Sequence, residues 1–245
     1  AEIGDVMKVE IQSKEFGRIA TQNAKNVILQ KIREEERKVL YDQYYGMEKE
    51  VVTGIVQRVM GKNVSVNLGK ADGILSENEQ VKGEEFEPTE RIKVYILEVK
   101  DTPKGPRILL SRTHPGLVKR LFESEVAEVK DGTVEIKSIA REAGSRTKIA
   151  VWSNDPDVDP VGACVGMNGA RVNSIVEELR GEKIDIINWD ENPAILIENA
   201  LSPAKVIAVM ADPDEKTALV VVPDYQLSLA IGKEGQNARL AARLT

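Results

Sequence analysis

Val165-Gly166-Met167-Asn168-Gly169-Ala170-Arg171 is the stretch whose reading decides the architecture of this 245-residue chain. It returns near the C-terminal end as Ile231-Gly232-Lys233-Glu234-Gly235-Gln236-Asn237, with the leading glycines 66 residues apart. Each copy reads as an apolar residue, a glycine, two variable residues and a second glycine, with helical character following. Lacking Cβ atoms, the glycines allow another backbone to come close and permit dihedrals closed to other residues. The N–H groups that open the next helix face outward at the positive end of its dipole. The combination makes a clamp for a sugar-phosphate strand. A single Gly-x-x-Gly is as readily a plain connector between helices; two copies in matching frames favour the clamp.

Working outward from the first copy, a helix after Pro115 carries an apolar face of Leu117, Val118, Leu121, Phe122 and Val126. Strands are expected at Thr133–Ala140 and Thr147–Ser153, separated by a turn at Glu142–Arg146. An acidic, Pro-containing loop (Asp155–Val161) leads into a short helix, Gly162–Gly166. The glycine loop, a longer helix (Ala170–Leu179) and a strand (Ile184–Trp189) complete the unit. The order then begins again. A helix at Pro193–Leu201 has proline in its first turn, and strands at Val206–Met210 and Thr217–Val222 flank Asp212-Pro213-Asp214. A short helix (Tyr225–Ile231), the second glycine loop and a helix (Gln236–Leu244) follow, and the last strand of this copy is expected to be missing. Repetition in both order and motif marks an internal repeat. Each unit resembles a KH module of the prokaryotic type (type II), in which such a loop clamps about four nucleotides.

Upstream the texture changes. Val51–Val59 reads as a strand, Gly61-Lys62-Asn63 as a turn, and Val64, Val66 and Leu68 alternate with polar residues as in a half-buried strand. Lys70–Leu75, Arg91–Lys100 and Arg107–Ser111 are three more strands, with a polar loop over Gly83–Thr89 and a Pro/Gly turn over Asp101–Pro106. Five strands in so short a span predict a small Greek-key barrel of OB type. Thr53-Gly54-Ile55-Val56, Gly69–Leu75 and Ile108–Arg112 resemble the S1 branch of that fold. S1 barrels use one face for single-stranded RNA, yet Tyr95 is the only aromatic in a strand here, so a spacer or protein-docking barrel is the alternative. Before the barrel, Val6, Val9 and Ile11 open a strand-like run, and Phe16, Ala20, Ala24, Val27, Ile28 and Ile32 recur at helical spacing. A strand and one long helix cannot close a core, so residues 1–47 read as the end of a truncated α/β domain. The predicted division is 1–47, the barrel over 48–112, the first KH module over 113–190 and the second over 191–245. The fold class is α+β and multidomain.

Composition limits the function. The chain is 42% hydrophobic and 30% charged, an ordinary globular balance, but only 4% aromatic, which argues against extensive base stacking. Its net charge is −6 and its isoelectric point about 5.2, whereas a non-specific nucleic-acid binder is usually basic. The lone Cys164, in an apolar run, excludes an internal disulfide and a cysteine zinc site and reads as a small buried thiol. Nothing resembles a signal peptide, and no apolar run approaches the ~20 residues of a membrane span. Asp155, Asp157 and Asp159 copy the first ligands of an EF-hand loop, but Pro160 and Gly166 stand where Gly and Glu are needed, so no metal is expected. Gly54 and Gly61-Lys62 are too far apart for a phosphate-binding P-loop, and Asn63 replaces its hydroxyl residue. His114, the only histidine, has no partner set for a triad or zinc hydrolysis and is assigned to the joint between barrel and repeat. Neither catalysis nor a cofactor is expected.

Three longer stretches carry a more specific resemblance: Lys137–Val151, Asp155–Gly166 and Pro223–Ala241. Together with the barrel and tandem loops they are similar to the bacterial NusA family of transcription elongation and termination factors. The resemblance covers essentially the whole chain. It implies a polymerase-docking N-terminal domain, of which residues 1–47 would be the end, then an S1 barrel and two KH modules forming one RNA-binding surface. It also implies a cytoplasmic regulator of pausing, termination and antitermination, expected as a monomer. Its implied partners are nascent single-stranded RNA, RNA polymerase and other elongation or antitermination factors. A protein docked on polymerase meets nascent RNA at high effective concentration, so it needs no strongly basic surface. The alternative is an adaptor that docks proteins and whose RNA contacts are weak. Carried onto this sequence, the RNA-binding residues are Gly166, Met167, Asn168, Gly169, Ala170 and Arg171 in the first loop, and Gly232, Lys233, Glu234, Gly235, Gln236, Asn237 and Arg239 in the second. Met167 and Asn168 fill places where a basic residue is common, so backbone contacts must carry much of each clamp.

Overall fold

A computed structural model describes residues 17–245, so the strand expected near Val6–Ile11 and the side chain of Phe16 lie outside the described residues. α1 (Arg18–Tyr45) is a 28-residue helix rich in Ala, Gln, Lys, Arg and Glu, all good helix formers. Its apolar residues behave differently from expectation: Val27, Ile28 and Ile32 are exposed among the described residues, and burial begins only in the last turns. There Leu40, Tyr41 and Tyr44 pack on the barrel. The Tyr44 hydroxyl donates to Leu68 O and accepts from the N–H groups of Lys70 and Ala71, all within 3.2 Å.

The barrel consists of β1 (Val51–Met60), β2 (Asn63–Asn67), β3 (Asp72–Leu75), β4 (Arg91–Lys100) and β5 (Arg107–Ser111). It closes in the order β1-β2-β3-β5-β4, antiparallel except for the parallel β3–β5 pair. Alternation sends Val64, Val66, Leu75, Val94, Ile96, Ile108 and Leu110 into its core. β3 starts two residues later than expected because Leu68 N–H bonds Ala71 O, folding Gly69 and Lys70 into a turn. Tyr95 does not face solvent: it is 6% exposed and stacks on His114, with ring centroids 4.6 Å apart and planes 5° from parallel.

That stack lies in the joint to the first repeat. His114 Nδ1 accepts from Gly116 N–H and so caps α2 (Pro115–Glu125), which is followed by the single turn α3 (Ala127–Lys130). β6 (Val134–Glu142), β7 (Arg146–Ser153) and β8 (Lys183–Asn188) form one sheet, with β6 antiparallel and β8 parallel to β7. β6 runs on to Glu142 because Arg141 and Glu142 pair with Thr147 and Arg146. Asp159 caps α4 (Pro160–Val165), and the glycine loop leads into α5 (Ala170–Glu178). Period-2 alternation gives the sheet two buried faces. Ile149 and Val151 pack with Leu117, Phe122, Cys164 and Ile175 on one side. Ala140, Ala150 and Ile187 pack on the other against the second repeat.

The second repeat contains α6 (Pro193–Ala200), β9 (Ala208–Asp212), β10 (Thr217–Val221), α7 (Asp224–Ile231) and α8 (Gln236–Leu244). β9 is displaced from the expected Val206–Met210 because Asp212 Oδ1 accepts from Asp214 and Glu215 N–H, fixing where the hairpin turns. Leu196, Ala200 and Leu201 from the α6 side and Leu240, Ala241 and Leu244 from α8 cover the first repeat's sheet.

Buried charge reinforces both joints. Arg112, 1% exposed, makes a bidentate pair with Glu84 at 2.7 Å and donates to Lys93 O, Glu178 O and Glu178 Oε1. It thereby ties a barrel loop and β4 to α5. Between the repeats, the buried ammonium of Lys148 donates to Asp185 at 2.9 Å and to Ser202 O at 2.7 Å.

Candidate nucleic-acid interface

The two glycine loops are copies in dihedral angle. Gly166 has φ 77°, ψ 173°, and Gly232 has φ 77°, ψ 170°. Asn168 (52°, 27°) matches Glu234 (53°, 27°), and Gly169 (76°, 12°) matches Gly235 (73°, 13°). In each, the second glycine's N–H bonds the first glycine's carbonyl at 3.1 Å. Three of four residues therefore have positive φ, a turn that favours glycine at both ends and Asn-like residues between. Neither α5 nor α8 has a side-chain cap; the N–H groups of Ala170 and Gln236 bond the carbonyls of Met167 and Lys233, and the positive end of each helix dipole lies at the loop. Met167 at the tip is 85% exposed, and Asn168, Lys233 and Glu234 are exposed with it.

The flanking side chains divide into struts and neighbours of the loop. Arg171 stands five residues after the first glycine; its Nη1 donates to Glu128 Oε2 at 2.9 Å and to Ala163 O at 2.7 Å. Asn237 stands at the same place in the second copy, buried, and donates to Ala230 O and Leu201 O. Both fasten the loop's helix to the helix before it. Asn173 and Arg239, seven residues after the first glycine, instead lie beside the second glycine. Arg239 is bound to Glu142 of the first repeat and donates to Glu234 O at 3.0 Å. Gln236 donates to Glu142 and to Ser145 Oγ. Gly166–Gly169, Ala170 and Gly232–Gly235 thus form the two outward loops, while Arg171, Gln236, Asn237 and Arg239 are committed to bonds within the chain.

A groove of about 540 Å³ runs between α4 and β8 of the first repeat and the start of the second. Val161 of α4 and Ile186 and Asn188 of β8 supply one side, and Asn199, Ser202 and Lys205 of the second repeat continue it. Its lining mixes apolar side chains with two amides, a hydroxyl, the Lys205 ammonium and the Glu198 carboxylate. Beside the second loop, Leu227 and Ile231 of α7 are exposed. The barrel presents a different surface: Gln57, Ser65, Asn67 and Asp72 form one hydrogen-bonded polar array across β1–β3.

Comparison with known proteins places these features in a family. The pattern of the S1 RNA binding domain matches residues 46–111, that of the NusA-like first KH domain 112–189, and that of the NusA-like second KH domain 193–245. The NusA N-terminal domain matches residues 1–38. The transcription termination/antitermination protein NusA of Mycobacterium tuberculosis (strain H37Rv) is 50% identical over 239 residues, covering 94% of this chain and 69% of that protein. The chain belongs to the NusA family. The protein of the same name from Bacillus subtilis (strain 168) is 58% identical over 243 residues, covering 99% of this chain and 66% of that protein. That of Thermus thermophilus is 45% identical over 245 residues, covering the whole chain and 63% of that protein. The chain spans about two thirds of the length of the curated relatives it matches.

Within this NusA-family chain, the closed barrel is the S1 domain and the two repeats are the KH domains. The sequence carried no sign of the groove's far side, since Ser202 and Lys205 sit in an irregular segment with no motif. Nor did it reveal Glu142, which meets α8 across 97 residues of chain. Among the described residues no cluster of His, Cys, Asp or Glu is arranged to hold a metal ion, and no helix is long and apolar enough to cross a membrane. Asp155 and Asp159 accept from the N–H groups of Asp157 and Val161, the usual work of aspartate in turns and caps.

Proposed function

We propose that this NusA-family chain binds single-stranded RNA by clamping its backbone at Gly166–Gly169 and Gly232–Gly235, and that it does so as part of a factor acting on transcription termination and antitermination. The congruence of the two loops carries the reading. Two closely matching sets of dihedrals, each leading into a helix with no side-chain cap, are hard to account for as connectors. Bases enter the groove between Val161, Ile186 and Asn188, with Lys205 reaching the strand as it leaves. The domain division is 1–47, 48–112, 113–190 and 191–245. The partners are nascent RNA, RNA polymerase and other elongation or antitermination factors. The chain is a cytoplasmic monomer without catalysis.

Because Arg171 and Arg239 are engaged internally, the clamps work with few free cations. About two to four phosphates are neutralised, giving a slope of log K against log salt of roughly −1.5 to −3. The test replaces Met167, Asn168, Lys233 and Glu234 with Asp. Asn168 and Glu234 occupy the left-handed region, which Asp tolerates, so the fold is retained. Weakened binding of single-stranded RNA at fixed moderate salt is expected. Unchanged affinity would favour the protein-docking adaptor, which the aromatic-free polar face of the barrel also fits.

A further inference from the structure

We propose that Glu142, in the hairpin of the first KH domain, is a positioning residue for the second RNA clamp: it holds the Arg239 guanidinium and thereby keeps it from RNA phosphate. The proposal rests on the clamping reading above. Glu142 gathers side chains from one face of α8. Its Oε1 accepts from Arg239 Nε at 2.5 Å, and its Oε2 accepts from Arg239 Nη2 at 3.1 Å and from Gln236 Nε2 at 2.9 Å. Arg243 Nη1 stands 3.8 Å from Oε1. The remaining Nη1 of Arg239 donates to Glu234 O at 3.0 Å, inside the loop itself. A carboxylate of one domain, a guanidinium of the next and a loop carbonyl thus form one relay. Arg239 and then Gln236 hold the Glu142 carboxyl down to about 2, so it is ionised at neutral pH.

The repeat shows what the relay does. Beside the second glycine of the first loop stands Asn173, which is uncharged; beside that of the second stands Arg239, whose charge Glu142 offsets. Both loops therefore meet RNA without a free cation at this place, one through residue type and the other through a contact between domains. A phosphate lying over Gly235 competes with Glu142 for Arg239. Removing the carboxylate adds a phosphate contact and makes binding more salt-dependent.

The experiment measures binding of the whole chain to a single-stranded oligoadenylate RNA between 50 and 200 mM salt. Glu142→Gln steepens the slope by about 0.7, so the variant loses about 2.6-fold more affinity over that range than the unaltered chain. Arg239→Gln alone leaves the slope unchanged, and the double variant returns to the unaltered slope. Glu142→Asp, which keeps the charge but withdraws it by one methylene, falls between and carries the test where the amide loosens the joint. A Glu142 that only supports the fold would weaken binding equally at every salt; slopes unchanged in both Glu142 variants, or steepening that persists in the double variant, overturn the proposal. If the unaltered chain does not bind the RNA, the clamp reading itself fails, a result distinct from binding with an unmoved slope.

Discussion

The sharpest consequence of the loop geometry is an asymmetry between its glycines. Gly232 sits at φ 77°, ψ 170°, a region essentially reserved for glycine, and another residue there is strained by about 1–3 kcal/mol. A Cβ added at Gly232 would lie 2.7 Å from Asn237 N, 2.8 Å from its Cβ and 3.3 Å from its Cα. These atoms belong to α8 and cannot yield without moving the helix, which adds about 1–3 kcal/mol of overpacking. Gly232→Ala should therefore cost about 2–6 kcal/mol. At Gly166 an added Cβ would lie 2.7 Å from Arg171 Cγ and 3.0 Å from Arg171 Cβ and backbone N, and Arg171 is held by Glu128 and Ala163 O, so Gly166→Ala should cost about as much as Gly232→Ala. Gly235 differs in kind: its left-handed conformation suits asparagine, and the nearest atom to an added Cβ is 3.9 Å away. Gly235→Asn should cost about 1 kcal/mol or less. Urea unfolding followed through Trp152 and Trp189, with hydrogen exchange of the Lys233–Asn237 amides to detect local deformation, reads all three. Equal losses at Gly232 and Gly235, or a loss under about 1 kcal/mol with unaltered exchange for Gly232→Ala, would show that Gly232 is neither strained nor crowded by α8.

Three further outcomes follow from buried and paired groups. Arg112→Met leaves the nearly buried Glu84 carboxylate without its bidentate partner, and should cost about 3–5 kcal/mol and separate the unfolding of barrel and first KH domain in calorimetry; a single unshifted transition would contradict it. Glu142 has its carboxyl lowered to about 2 from an ordinary 4.5, first by Arg239 and then by Gln236, so its contribution to stability is complete above 4.5 and is lost as pH falls from there through 2. Because Arg239 and Arg243 are half-exposed, screening reduces it to about 1 kcal/mol; the pH dependence of unfolding between 5 and 2.5 should be shallower by that amount in Glu142→Gln. Burial pushes the Cys164 thiol up to about 11, so at pH 8 its thiolate population is about a hundredfold below that of an exposed cysteine. Iodoacetamide should label it only after unfolding.

What was legible in the sequence was whatever rests on local pattern. The alternation around Val64 and Val66 and the Gly-x-x-Gly spacing each depend on residues a few positions apart. What escaped depends on contacts the chain makes at long range. Arg171 reads as a cation offered to phosphate, but Glu128, 43 residues away, turns it into a strut. Arg239 is claimed in the same way by Glu142. Tyr95 reads as a surface aromatic, yet its strand meets α2 and His114, and the ring serves the joint. The shifted start of β9 was set by one side chain, Asp212, choosing where the hairpin turns. Helix periodicity in α1 found an apolar face but could not say what covers it, since period alone fixes a stripe and not its partner.

In the proposed complex the two loops hold one RNA strand together. The most direct measurement is a titration of the chain with a short adenine-rich single-stranded RNA, following backbone amide resonances. Amides of Gly166–Arg171 and Gly232–Asn237 should shift over the same range of RNA concentration, in step with residues of the groove such as Asn188 and Lys205. Shifts confined to one loop, or to the barrel's polar face with both loops silent, would contradict it.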